Sequence, residues 1–82
     1  MTDPRHLDVI VIEPARLARW LDCASRLGGN ALQAELADFA RDPTRHRLEL
    51  AARAARWVEQ HTSGTEAMIA NAIATELEDA AS

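Results

Sequence analysis

The chain has 82 residues, a formal net charge of −4, and a composition that is 48% hydrophobic and 27% charged. This balance is typical of one globular domain, here residues 1–82, and it weighs against a disordered chain. The acidic sign weighs against a general nucleic-acid-binding surface, which needs net positive charge. Since no apolar run approaches the ~20 residues that span a bilayer, we expect a soluble, cytoplasmic protein without membrane contact.

The first predicted element is a short extended segment over residues 7–13, which ends before Pro14. Its centre is entirely β-branched, and this favours a strand over a helix. A lone strand cannot satisfy its backbone groups within a helical chain, so two interpretations are open. Either the segment pairs with the same strand of a second chain as a two-stranded ribbon, or it is an arm that packs on the helices. The β-branched residues are Val9, Ile10, Val11 and Ile12.

Two helices are predicted next, with a glycine turn between them. Pro14 suits the first turn of a helix over residues 14–27, and Gly28 ends it. Asn30, with Gln33 three residues later, predicts the capped start of a second helix over residues 30–41. The positions predicted to face inward are Leu17, Trp20, Leu21, Ala24 and Leu27 in the first helix, and Leu32, Leu36, Phe39 and Ala40 in the second.

Two further helices complete a predicted all-α, or nearly all-α, four-helix domain with an N-terminal strand or arm. Asp42, as N-cap before Pro43, predicts the start of a third helix that runs to His61. Ser63 and Glu66 have capping-box spacing and predict a fourth helix that ends near residue 79. The third helix has a main apolar face (Leu48, Ala51, Ala52, Ala55, Val58) and a second one (Leu50, Ala54, Trp57), and the fourth is predicted to turn Met68, Ile69, Ala72, Ile73 and Leu77 inward. Two apolar faces indicate a helix that is central or that contacts something outside this chain.

A short strand followed by two helices and a glycine turn resembles the ribbon-helix-helix family of dimeric DNA-binding regulators. The resemblance covers residues 7–13, 15–27, 28–30 and 31–41, which is under half of the chain. It implies that alternating strand side chains read the major groove of DNA. The alternating sets here are Asp8, Ile10, Ile12 and Val9, Val11, Glu13, and they offer no base-reading donor. DNA binding is therefore the alternative function, with Arg45, Arg47, Arg53 and Arg56 as the phosphate contacts.

Charge is predicted to be segregated between the third and fourth helices. Arg45, His46 and Arg47 lie at the start of the third helix, whereas Glu76, Glu78 and Asp79 lie near the end of the fourth. Both clusters oppose the helix dipole, so we expect each to relieve the other across the hairpin. The alternative is that the basic cluster binds an anion or an acidic partner, and that the acidic helix end binds a basic surface.

No catalytic or metal-binding pattern is present in the sequence. His6, His46, His61 and Cys23 lack ligand spacing, so we expect no enzymatic activity, no metal and no cofactor. The single cysteine excludes an intramolecular disulfide. Trp20 is predicted in the core. Trp57 lies either in the core or at a surface that meets a partner or a second copy, where tryptophan is enriched.

These observations together predict a small, acidic, non-enzymatic protein-binding factor. The expected types are inhibitor, antitoxin, immunity or anti-defence factor, and adaptor. Its partner is expected to be another protein, with a homodimer as a further expectation and nucleic acid as the less favoured partner. The predicted contact residues are Val9, Ile10, Val11, Ile12, Leu50, Trp57, Glu76, Glu78 and Asp79.

Overall fold

The computed structural model describes residues 9–27 and 30–82, apart from the side chain of Asn30, and these residues form four α-helices. The helices are α1 (Pro14–Arg26), α2 (Asn30–Arg41), α3 (Arg45–Gln60) and α4 (Thr65–Ala81). The predicted all-α fold is confirmed, and the described residues contain no strand longer than a single bridge. Residues 1–8, the glycine turn at 28–29 and the predicted cap at Asn30 lie outside the described part.

α3 is the central helix of the fold. It packs most extensively against α4 and next against α2, while α1 lies against α2 and, to a smaller extent, α4. The predicted inward face of α1 and the main face of α3 are confirmed, since their residues are buried or pack against the core. Each fully buried large side chain contributes about 1.5–3 kcal/mol through removal from water. The largest of them are Trp20, Phe39, Leu32, Leu36, Leu48 and Leu77.

The predicted inward face of α4 is partly wrong. Met68 is 72% exposed and Ala72 is also exposed, whereas Ile73 and Leu77 are buried as predicted. Ala40 of α2 is likewise exposed rather than inward. The observed buried face of α4 is rotated by about one residue, roughly 100°, and small side chains make up much of it. The alanines that the prediction missed are Ala70, Ala74 and Ala81.

Residues 9–12 form an extended arm that is attached to the segment before α3. The Ile10 N–H donates to the Pro43 carbonyl at 2.8 Å, and Val9 forms an antiparallel bridge with Thr44. Ile10 and Ile12 pack against the core, while Val9 is 54% and Val11 91% exposed. Of the two interpretations of this segment, the structure therefore shows the packed arm, and pairing with a second chain stays a prediction.

Two predicted helix starts are wrong by one or two residues. The N-cap of α3 is Thr44 rather than Asp42, and its hydroxyl accepts the Arg47 backbone N–H at 3.3 Å. Thr44 takes this role because its backbone is extended where it meets the arm. The N-cap of α4 is Gly64 rather than Ser63, and no side-chain cap bond forms there.

Candidate protein-binding surface

Trp57 lies on the outer side of α3 and is 58% exposed. Its ring stacks on the imidazole of His61, with centroids 4.0 Å apart and an interplanar angle of 15°. His61 Nδ1 also lies 2.8 Å from the Trp57 carbonyl oxygen. Of the two predicted locations, the structure places Trp57 at the surface, with its ring already supported by a neighbour.

A groove of about 570 Å³ lies beside Trp57, between α3 and the end of α4. Ala52 and Ala81 are its buried lining residues, and Arg53 and Gln60 are exposed along it. None of the described residues forms an ion pair with Arg53. The groove therefore combines small apolar lining, an exposed indole and the Arg53 guanidinium with the carboxylates of Glu49 and Glu78.

Arg56 fixes one wall of this groove by joining α3 to α4. Its Nε and Nη2 donate to the two oxygens of Glu78 at 2.9 and 2.7 Å. Its Nη1 donates to Glu59 at 3.0 Å and to Asn71 at 2.8 Å. The hydrogen bond from Arg56 lowers the pKa of Glu78, and the same contact raises the pKa of Arg56. Arg56 thus joins α3 to α4 at the surface of the fold, although the DNA-binding alternative assigned it to phosphate.

Glu76 joins α4 to α1. Its Oε1 accepts from Arg19 Nη2 at 2.6 Å and from the Trp20 indole N–H at 3.3 Å, and Arg16 Nε lies 3.6 Å away. The Arg16 guanidinium also lies 5.0 Å from the centroid of the Trp20 ring, within cation–π range. Glu76 therefore makes these contacts within the chain, whereas the neighbouring Asp79 is exposed.

The predicted pairing between the basic start of α3 and the acidic end of α4 is wrong for Arg47. Its guanidinium nitrogens lie 3.9 Å from carboxylate oxygens of Asp38 and Asp42, which precede α3. The acids of α4 instead meet other arginines. Glu78 pairs with Arg56, farther along α3, and Glu76 pairs with Arg19 of α1. Asp42 precedes α3 by three residues and Asp38 lies in the last turns of α2, so both come near the first turn of α3.

The predicted contact residues lie in separate places. Trp57 and Glu78 line the groove, Leu50 is half-buried on α3, and the arm lies beside Pro43. Among the arginines of the alternative function, Arg53 and Arg56 line the groove and the other two lie at the start of α3.

The prediction missed the groove residues Ala52, Gln60 and Ala81 and the stacking of His61 on Trp57. Of these residues, only His61 could have been predicted from the sequence, because residues four apart on a helix lie on the same face and His61 follows Trp57 by four.

The described residues contain no group of three His, Cys, Asp or Glu side chains that could hold a metal ion. Within the same part of the chain, no helix combines the length and the apolar character needed to cross a membrane. Comparisons with protein-family models, curated proteins and solved structures found no match.

Proposed function

We propose that this protein is a small, non-enzymatic protein-binding factor of the inhibitor or adaptor kind, which docks its partner on α3 around Trp57. The main support for this proposal is that the Trp57 side chain is 58% exposed while its ring is stacked on His61. Tryptophan in such positions often contributes a large share of binding energy at interfaces. Because the stack limits its rotamers before binding, less side-chain entropy is lost on docking.

The groove suggests the chemistry of the partner. An apolar side chain fits over Ala52 and Ala81 beside the Trp57 ring, where it excludes water. Arg53 forms no ion pair with the described residues, so a partner carboxylate that reaches it, away from Glu49 and Glu78 of the same groove, would pair with it. The partner is therefore expected to present an aromatic or aliphatic side chain with a neighbouring acidic residue.

The proposal is tested by the affinity of a purified partner for wild-type and variant proteins. The partner is first identified by affinity capture, and its Kd is then measured by calorimetry. Trp57→Ala is expected to weaken binding by about 30-fold or more, the size of an interface hot spot. Circular dichroism should show an unchanged fold, since this ring is largely outside the core.

Met68→Ala is the matched control. Met68 is 72% exposed and apolar, but it does not line the groove. Its substitution is expected to change Kd by about twofold or less. Equal Kd values for wild type and Trp57→Ala, or a larger loss from Met68→Ala, would contradict docking at this surface.

A further inference from the structure

The arm has one bonded and one open edge. The Ile10 N–H donates toward Pro43, and in an extended segment the backbone groups of successive residues point to opposite edges. The N–H and C=O groups of Val9 and Val11 therefore point away from Pro43. No described residue bonds to those groups. This edge presents two donors and two acceptors in alternation, which is a template for another extended strand.

We propose that this edge pairs with the same edge of a second copy of the chain. In an antiparallel pair with a two-fold axis at Ile10, Val9 of each copy lies opposite Val11 of the other. Each of these two pairs exchanges two N–H···O=C bonds, which makes about four bonds from the described residues alone. The open donors of one copy thus meet the open acceptors of the other, and the reverse, as an interface with two-fold symmetry requires.

Two features favour a second copy as the occupant. Valine is enriched in β-strands because its branched side chain packs well on a pleated surface, and this register places exposed valine opposite exposed valine. In addition, Ile10 and Ile12 pack on the core and hold each arm in place before two copies associate, so little conformational entropy of the arm is lost on association. None of the arm residues lines the groove beside Trp57, so this inference is independent of the proposed function.

Sedimentation and amide hydrogen exchange of the full chain test the proposal over about 10 μM to 1 mM, a range suited to a weak dimer. We expect the average mass to rise toward that of a dimer with concentration. The Val9 and Val11 amides should gain protection together with the mass, whereas the Ile10 amide should be protected throughout. A monomer at about 1 mM, or a dimer without added protection at Val9 and Val11, would overturn the proposal.

Val11→Pro is the decisive variant, because it removes one open-edge N–H and leaves the Ile10 bond in place. It is expected to weaken association by about tenfold or more, with the helical circular dichroism signal unchanged. Val11→Thr keeps the N–H and the β-branch, and it should associate like wild type. If Val9 and Val11 become protected only when a different protein is added, the occupant is that protein and self-pairing is wrong.

Discussion

One carboxylate oxygen of Glu76 meets three donor groups of α1. Trp20 is 1% exposed, so its indole N–H has little access to water as a substitute acceptor. A buried donor without an acceptor destabilises a fold by more than an ordinary hydrogen bond stabilises it. We therefore expect Glu76 to act mainly by stabilising the folded chain.

Two substitutions of Glu76 separate its hydrogen-bonding role from its charge. Glu76→Ala removes the acceptor of the Trp20 N–H and should lower the free energy of unfolding by about 1–3 kcal/mol. Glu76→Gln keeps an oxygen for the indole and removes only the surface ion pairs with Arg16 and Arg19, so about 1 kcal/mol or less is expected. Urea unfolding followed by circular dichroism measures both, and equal losses would show that the indole contact is unimportant.

The start of α4 depends on backbone conformation rather than on a side-chain cap. Gly64 has φ 65° and ψ −136°, a combination that L-residues rarely adopt. A Cβ added at this position would meet nothing within 4 Å. Any loss of stability on substitution would therefore come from the backbone.

Gly64→Ala is expected to destabilise the protein by about 1–3 kcal/mol. Ser63→Ala is the control, and it should change stability by about 0.5 kcal/mol or less, since Gly64 rather than Ser63 is the N-cap. Thermal and urea unfolding of the two variants provide the comparison. A larger loss of stability from Ser63→Ala than from Gly64→Ala would instead support the capping box that the sequence predicted.

The contact between Arg56 and Glu78 makes the α3–α4 hairpin sensitive to acid. The ordinary pKa of Glu78 is 4.5, and Arg56 lowers it in the folded protein. The ion pair therefore contributes its full stability above pH 4.5, and this contribution is lost as the pH falls through the lower folded pKa.

Comparison of wild type with Glu78→Gln isolates this effect. The difference in unfolding free energy should be constant from neutral pH down to about pH 5 and should shrink as the pH falls further. In an Arg56→Gln background, Glu78→Gln should no longer have this pH-dependent effect, because the guanidinium causes the shift. Chemical denaturation across acidic pH is the measurement, and a difference that grows toward low pH would contradict the assignment.

The sequence predicted the number and order of the helices well, because helical spacing and Pro or Gly breaks are local signals. The main face of α3 followed from the same spacing. The face of α4 did not, since Met68 is larger and more apolar than the alanines that meet α3. The groove could not be predicted because it forms only where the end of α4 meets α3, and these two stretches lie more than 15 residues apart in the sequence.

Two surfaces with different chemistry are available on the molecule as a whole. The groove beside Trp57 combines an indole, small apolar residues and Arg53, and it suits the side chains of a partner protein. The open edge of the arm offers backbone donors and acceptors, and it suits a second strand. The two surfaces share no lining residue.

Docking of a partner protein around Trp57 can be measured by chemical-shift mapping during titration with the captured partner. We predict that the largest amide shifts fall at Arg53, Trp57 and Ala81, and that the Trp57 indole N–H moves while the buried Trp20 indole N–H does not. Shifts centred on α1 and α2, with the Trp57 indole unchanged at saturation, would contradict the claim.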